Sequence, residues 1–175
     1  MKDFLKGLAC GTLVLVMGLF LYIKVGLAEI RADVAPGPFT SRFLDSSVHA
    51  AVRRSAAVRQ HPPQVDEQTL IAGGKLYFND CVGCHGEPGK PASAFGASFY
   101  PPAPQLTQTP TRYTEAEIFW IAKHGIRRTG MGSQSDSYSD ADLWRLASFI
   151  YQIPKLTPRV MGAIQQPSTP HATDK

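Results

Sequence analysis

Residues 79–89 read NDCVGCHGEPG. Cys81, Cys84 and His85 put two thiols and an imidazole within five positions, a set that suits a disulfide, a zinc ion, a redox dithiol or a haem. A zinc site wants four ligands, usually as two pairs, and the one other cysteine, Cys10, lies far off in an apolar run. A thioredoxin-like dithiol expects a βαβ setting, whereas the flanking sequence reads as helix and loop. A disulfide closing so short a loop would gain little from it. C-x-x-C-H is the attachment signature of c-type haem. Two thiols one helical turn apart can each add to a vinyl group on one edge of a porphyrin, and the following imidazole then lies under the iron. The motif therefore reads as one covalent haem c, with Cys81 and Cys84 as attachment points and His85 as an iron ligand.

The elements around the motif must place it. EQTLIAGGKLYFN (67–79) reads as a helix that runs straight into the cysteine pair. A polar, proline-rich stretch from Gly86 to Thr111 shows no strand-like alternation and reads as loop. TEAEIFWIAKHG (114–125) opens on a Thr114/Glu117 capping box and ends at Gly125, a natural stop. SDADLWRLASFIYQI (139–153) opens on Ser139 as N-cap and stops before Pro154. Three helices in about 90 residues make a thin core, which a large apolar cofactor would complete.

GGKLYFNDCVGCHG, PPAPQLT, EIFWIAKHGIRRTGMGS and SDADLWRLASFI follow one another in an order that resembles the one-haem class I c-type cytochromes. Among these, residues 66–157 look closest to the cytochrome domain of the third subunit of C-type haem–copper oxidases. The resemblance implies an all-α, small class I cytochrome c fold, with three to five helices around one haem. It also implies a methionine thioether opposite His85, in a T-G-M stretch that matches Thr129–Met131. Met131 lies between the two later helices with Gly130 and Gly132 on either side, while Met1 and Met17 are N-terminal and Met161 lies beyond the last helix. Met/His ligation raises the potential of the iron. His124 is the rival ligand, although its place at a helix end also suits an imidazole that caps carbonyls. Gly74 and Tyr77 are expected at the crossing of the first and last helices, opposite Trp144, Leu146, Phe149 and Ile150. Arg127 and Arg128 read equally as partners of the haem propionates or as solvated surface. One proline of PPAP (101–104) is expected against His85, with the sequence leaving open which.

Upstream, Gly7–Ile23 is uncharged and mostly apolar, and counting Lys24 as snorkelling extends the span to Ala28. Residues 7–28 read as a membrane anchor. A cleaved signal peptide is the other reading, since Gly26 and Ala28 place small residues before a cut at Glu29. Residues 1–65 carry eight Lys/Arg against four Asp/Glu, and residues 66–157 carry eight against nine. No basic run with interleaved aromatics suggests nucleic acid. Arg53 and Arg54 suit a solvated helix face or a surface near anionic lipid. The organisation expected is a 1–30 anchor or signal, a 31–65 linker with a short amphipathic helix at 41–60, the 66–157 cytochrome domain and a disordered 158–175 tail.

The functional expectation is a non-enzymatic carrier of single electrons at the outer, periplasmic face of the cell membrane. Its partners would be redox proteins: a quinol-oxidising complex, a dehydrogenase or a terminal oxidase. It would act as a free carrier or as a subunit of a larger complex. A haem-based gas or redox sensor with a displaceable Met131, and a catalytic haem such as a peroxidase, are the alternatives. The chain contains no segment resembling an output domain, and only His124 is a candidate distal acid–base group.

Overall fold

The computed structural model describes residues 1–27, 30–31, 34–56 and 64–165. These residues are helical and contain no strand. The chain divides into two compact units, Met1–Val34 and Ala35–Lys175.

The first unit is built on α1 (Lys2–Lys24), 23 residues with a mean hydropathy of 2.1 in its most apolar window and no buried residue. At 1.5 Å per residue it is roughly 35 Å long, enough for a hydrocarbon layer of about 30 Å. Length and composition are what a spanning helix needs; a signal sequence has the same features.

The second unit holds α2 (Pro38–Ala56), α3 (Glu67–Asp80), α4 (Val82–His85), α5 (Ala94–Ala97), α6 (Glu115–His124), α7 (Asp140–Gln152) and α8 (Pro158–Gln165). α3, α6 and α7 each start where a short polar side chain satisfies a free backbone amide. Asp66 accepts from the Thr69 amide at 2.7 Å. Thr114 and Glu117 form the reciprocal capping box that their spacing suggests. Ser139 accepts from the Asp142 amide at 3.2 Å. Gly125 ends α6 with φ of 67°, a conformation that costs a Cβ-bearing residue about 1 kcal/mol or more.

The core lies where α3, α6, α7 and α8 meet. At Gly73, α3 touches the backbone of α7 so closely that a Cβ there would overlap the Arg145 carbonyl. Tyr77, fully buried, packs its ring 5.4 Å from that of Phe149. These contacts lie on the expected crossing. Trp144 points the other way and stacks on Phe119 of α6 at 4.4 Å. Ser148, also fully buried, donates to Glu115 of α6.

Two flanking segments differ from the sequence expectation. Residues 158–165 are not disordered: they form α8, which buries Val160 and Ile164 against α3. The apolar pair at i and i+4 gives this short helix one face to bury, despite its polar surroundings. The rest of the expected tail, 166–175, lies outside the described residues. The helix expected over 41–60 runs from Pro38 to Ala56, with 57–60 outside the described residues. It is docked on α6 and the loop before it. Val52 is buried, the His49 ring stacks 4.6 Å from that of Tyr113, and Ser41 Oγ lies 2.8 Å from Tyr100 Oη. Asp45 pairs with Arg112 at 3.5 Å.

Candidate functional site

The last turn of α3 passes directly into α4, which carries the C-x-x-C-H residues. The Cys84 and His85 amides both donate to the Cys81 carbonyl, at 3.1 and 2.9 Å. Cys81 and Cys84 are both free thiols. Burial, then the nearby Asp80 and Cys84, push the Cys81 thiol up to about 12, so it is neutral at ordinary pH.

His85 is oriented by the backbone of Pro104. Its Nδ1 lies 2.9 Å from the Pro104 carbonyl oxygen. Burial holds the imidazole below its ordinary pKa, and the Pro104 contact offsets part of that shift. A neutral ring has one N–H, and a carbonyl can only accept, so Nδ1 donates and Nε2 keeps its lone pair. That is the tautomer a metal-ligating histidine needs, with its second nitrogen fixed by a backbone acceptor. Of the prolines in PPAP, Pro104 is the one that meets His85.

The surrounding loop is tied to the motif by hydrogen bonds. The Leu106 amide donates to the His85 carbonyl at 3.1 Å. Gln105 donates to the Cys84 carbonyl at 3.0 Å and accepts from the Ser93 amide at 2.8 Å. Ser93 Oγ donates to the Gly83 carbonyl. From the opposite side, buried Tyr77 donates to the Gly86 carbonyl at 2.6 Å. Gln105 and Ser93 were not legible as site residues, because each acts through backbone groups with no motif of its own.

Met131 lies in a loop folded back on the end of α6. The Ile126 amide donates to the Met131 carbonyl at 2.9 Å, and the Met131 amide donates to Thr129 Oγ1 at 3.0 Å. The Gln134 amide returns to the Ala122 carbonyl at 3.0 Å. Gly130 sits against the Phe99 ring, where a Cβ would come within 2.7 Å of the ring edge. Phe99 follows α5, whose cap Ser93 is bonded to the Gly83 carbonyl of the C-x-x-C-H turn. The segment that supports the Cys84–His85 turn thus also touches the Met131 loop.

The other candidates have different surroundings. His124 is exposed, with its ring 4.9 Å from Trp120 of its own helix. Met161 is not beyond the fold but in α8, packed on the hydrophobic core. His49 is taken up by Tyr113 and Asp45, and His61 lies outside the described residues. Arg127 and Arg128 occupy an exposed turn, Arg128 with φ of 63°.

An all-α unit with a C-x-x-C-H turn and an imidazole held at Nδ1 by a backbone carbonyl has the features of a monohaem c-type cytochrome domain. Residues 68–150 match the family described as cytochrome C oxidase, cbb3-type, subunit III, and they resemble the cytochrome domain of that subunit. No match was found among curated proteins or among solved structures. The cofactor of such a domain is haem, and its work is electron transfer to and from redox partners. The residues present fit that group: two unpaired thiols one turn apart and an imidazole in the ligating tautomer.

Proposed function

We propose that the chain is a membrane-anchored electron carrier that would hold one haem covalently through Cys81 and Cys84, with the His85 imidazole and the Met131 thioether as the side chains that would ligate its iron. Bound haem supplies a one-electron Fe(III)/Fe(II) couple. Cys81 and Cys84 fix its edge to the start of α4. Pro104 keeps the Nδ1 proton on His85 and so keeps Nε2 available. Tyr77 and Gln105 hold the backbone on either side of His85. The 126–134 loop carries the thioether, with Thr129 setting its turn. α1 holds the domain at the outer face of the membrane, where it exchanges electrons with a quinol-oxidising complex, a dehydrogenase or a terminal oxidase.

The observation that carries this reading is the His85–Pro104 hydrogen bond at 2.9 Å, which leaves Nε2 as a ligand. The test is spectroscopic. Haem should survive acid–acetone extraction, and the oxidised protein should show the weak far-red charge-transfer band of Met–Fe ligation. Met131→His should give a low-spin haem of markedly lower potential, and Met131→Ala should bind CO readily. Met161→Ala and His124→Ala should leave the spectrum unchanged. Haem that washes out refutes attachment. A six-coordinate Met131→Ala protein with an unchanged potential refutes Met131 as the ligand.

A further inference from the structure

Helix α2 has two faces, and the cytochrome domain uses only one. Ser41, Asp45, His49 and Val52 turn towards Tyr100, Arg112 and Tyr113. The opposite face begins with Phe39 and Phe43, which are 82% and 62% exposed and stack on each other with centroids 6.4 Å apart. Along a helix these positions continue through Ala50 to Arg54. Arg42 and Arg53 flank the stripe. All three arginines are exposed, and none makes an ion pair among the described residues. The one acidic side chain of α2, Asp45, is engaged by His49 and Arg112 on the docked side.

We infer that this outward face of α2 lies on an anionic bilayer surface, with Phe39 and Phe43 at the acyl boundary and Arg42, Arg53 and Arg54 on lipid phosphates. Exposed aromatics together with cations of one sign are the composition of an interfacial helix. Two stacked, exposed phenylalanines make an apolar patch of the kind that marks an interaction surface. Arginine matches phosphate geometry, and each cation near an anionic leaflet adds attraction. Thirteen residues separate α1 from α2, so an α1 in the bilayer keeps α2 at high local concentration near that surface. The inference rests on the anchor reading of α1. It adds that the domain is held at the membrane by its α6 side, since α2 packs on α6.

The test uses the full-length, haem-loaded chain carrying Cys10→Ser. A nitroxide is placed at Ala50→Cys on the outward face, or at Lys90→Cys as an exposed control. Collision with oxygen and with a water-soluble nickel chelate is measured in phosphatidylcholine vesicles with and without phosphatidylglycerol. With the anionic lipid, the oxygen-to-chelate ratio at position 50 should exceed that at position 90 several-fold. It should be higher there than in phosphatidylcholine alone. Phe39→Ser with Phe43→Ser, and separately Arg53→Ser with Arg54→Ser, should return it towards the control while the circular dichroism is unchanged. Equal ratios at positions 50 and 90, in vesicles that carry the chain, overturn the inference and leave the anchor standing. Spin–spin broadening at position 50 overturns it in favour of a second copy of the chain. A chain that does not float with vesicles overturns the anchor reading and this inference together.

Discussion

Three glycines in the second unit should respond to alanine in three different ways. At Gly73 a Cβ would lie on the Arg145 carbonyl oxygen and 2.9 Å from Phe149 Cβ. The obstacle is backbone, so α3 and α7 must separate, and overpacking of that kind costs about 1–3 kcal/mol, at its upper end where no side chain can yield. Better helix propensity returns up to about 1 kcal/mol. The net expectation for Gly73→Ala is a loss of about 2 kcal/mol. At Gly74 the nearest atoms are the tip of Ile164 in α8 and the Phe149 ring edge at 3.0 Å. Ile164 can change rotamer, so the propensity gain offsets most of the strain and the net loss should stay below about 1 kcal/mol. Gly162, inside α8, has nothing within 4 Å of the Cβ position. Gly162→Ala should stabilise by about 0.5–1 kcal/mol. For a unit of this size 1 kcal/mol shifts Tm by about 4 °C, so the expected changes are roughly −8, −2 and +3 °C. Thermal unfolding of the haem-loaded protein in detergent, followed by far-ultraviolet circular dichroism, measures all three. A Gly73→Ala protein as stable as its parent, or one more stable than Gly74→Ala, would refute the close α3–α7 contact.

Other expectations follow from single contacts. Tyr77→Phe removes the donor that holds the Gly86 carbonyl in a buried site and should cost about 1–3 kcal/mol in a denaturant titration. The Asp66 carboxyl is held below its ordinary value, first by its side-chain hydrogen bond to Thr69, then by the backbone contact to the same residue. Its contribution is therefore complete above the ordinary carboxylate pKa and is lost as pH falls through the lower folded value. Asp66→Asn can still cap α3 but lacks the ionised carboxyl, so its Tm should lie below that of the parent near pH 7, and the two curves should converge as pH falls below 3.8. The anchor reading requires that protein purified from membranes keeps Met1, and Edman sequencing that starts at Glu29 would favour a cleaved signal.

The parts legible in the sequence are those whose physics is local. Thr114 and Glu117 are three residues apart, and their capping box needs nothing from elsewhere. The thiols and imidazole of 81–85 lie on one turn of chain, and that turn is what the structure contains. The parts that were not legible depend on partners far along the chain. Val52 and His49 carry no sign that Tyr113 will meet them. Val160 and Ile164 stand in a stretch whose prolines and polar residues suggest disorder, and only the notch at Gly74 on α3 makes them a helix face. Pro104 is one of three prolines in four residues, and the position of His85 after folding selects its carbonyl.

The contact between α3 and α8 also orders events in time. A chain delivered N-terminus first presents the Cys81–His85 turn about eighty residues before Ile164. At a synthesis rate of about 5–20 residues per second, roughly 4–16 s pass before the segment that covers Gly74 exists. During that interval α3 can form but cannot bury its α8 side. In the finished fold Cys81 is half-buried and its thiol is neutral. Placing α8 after the rest of the domain leaves an interval in which one side of α3, at Gly74, has no covering helix.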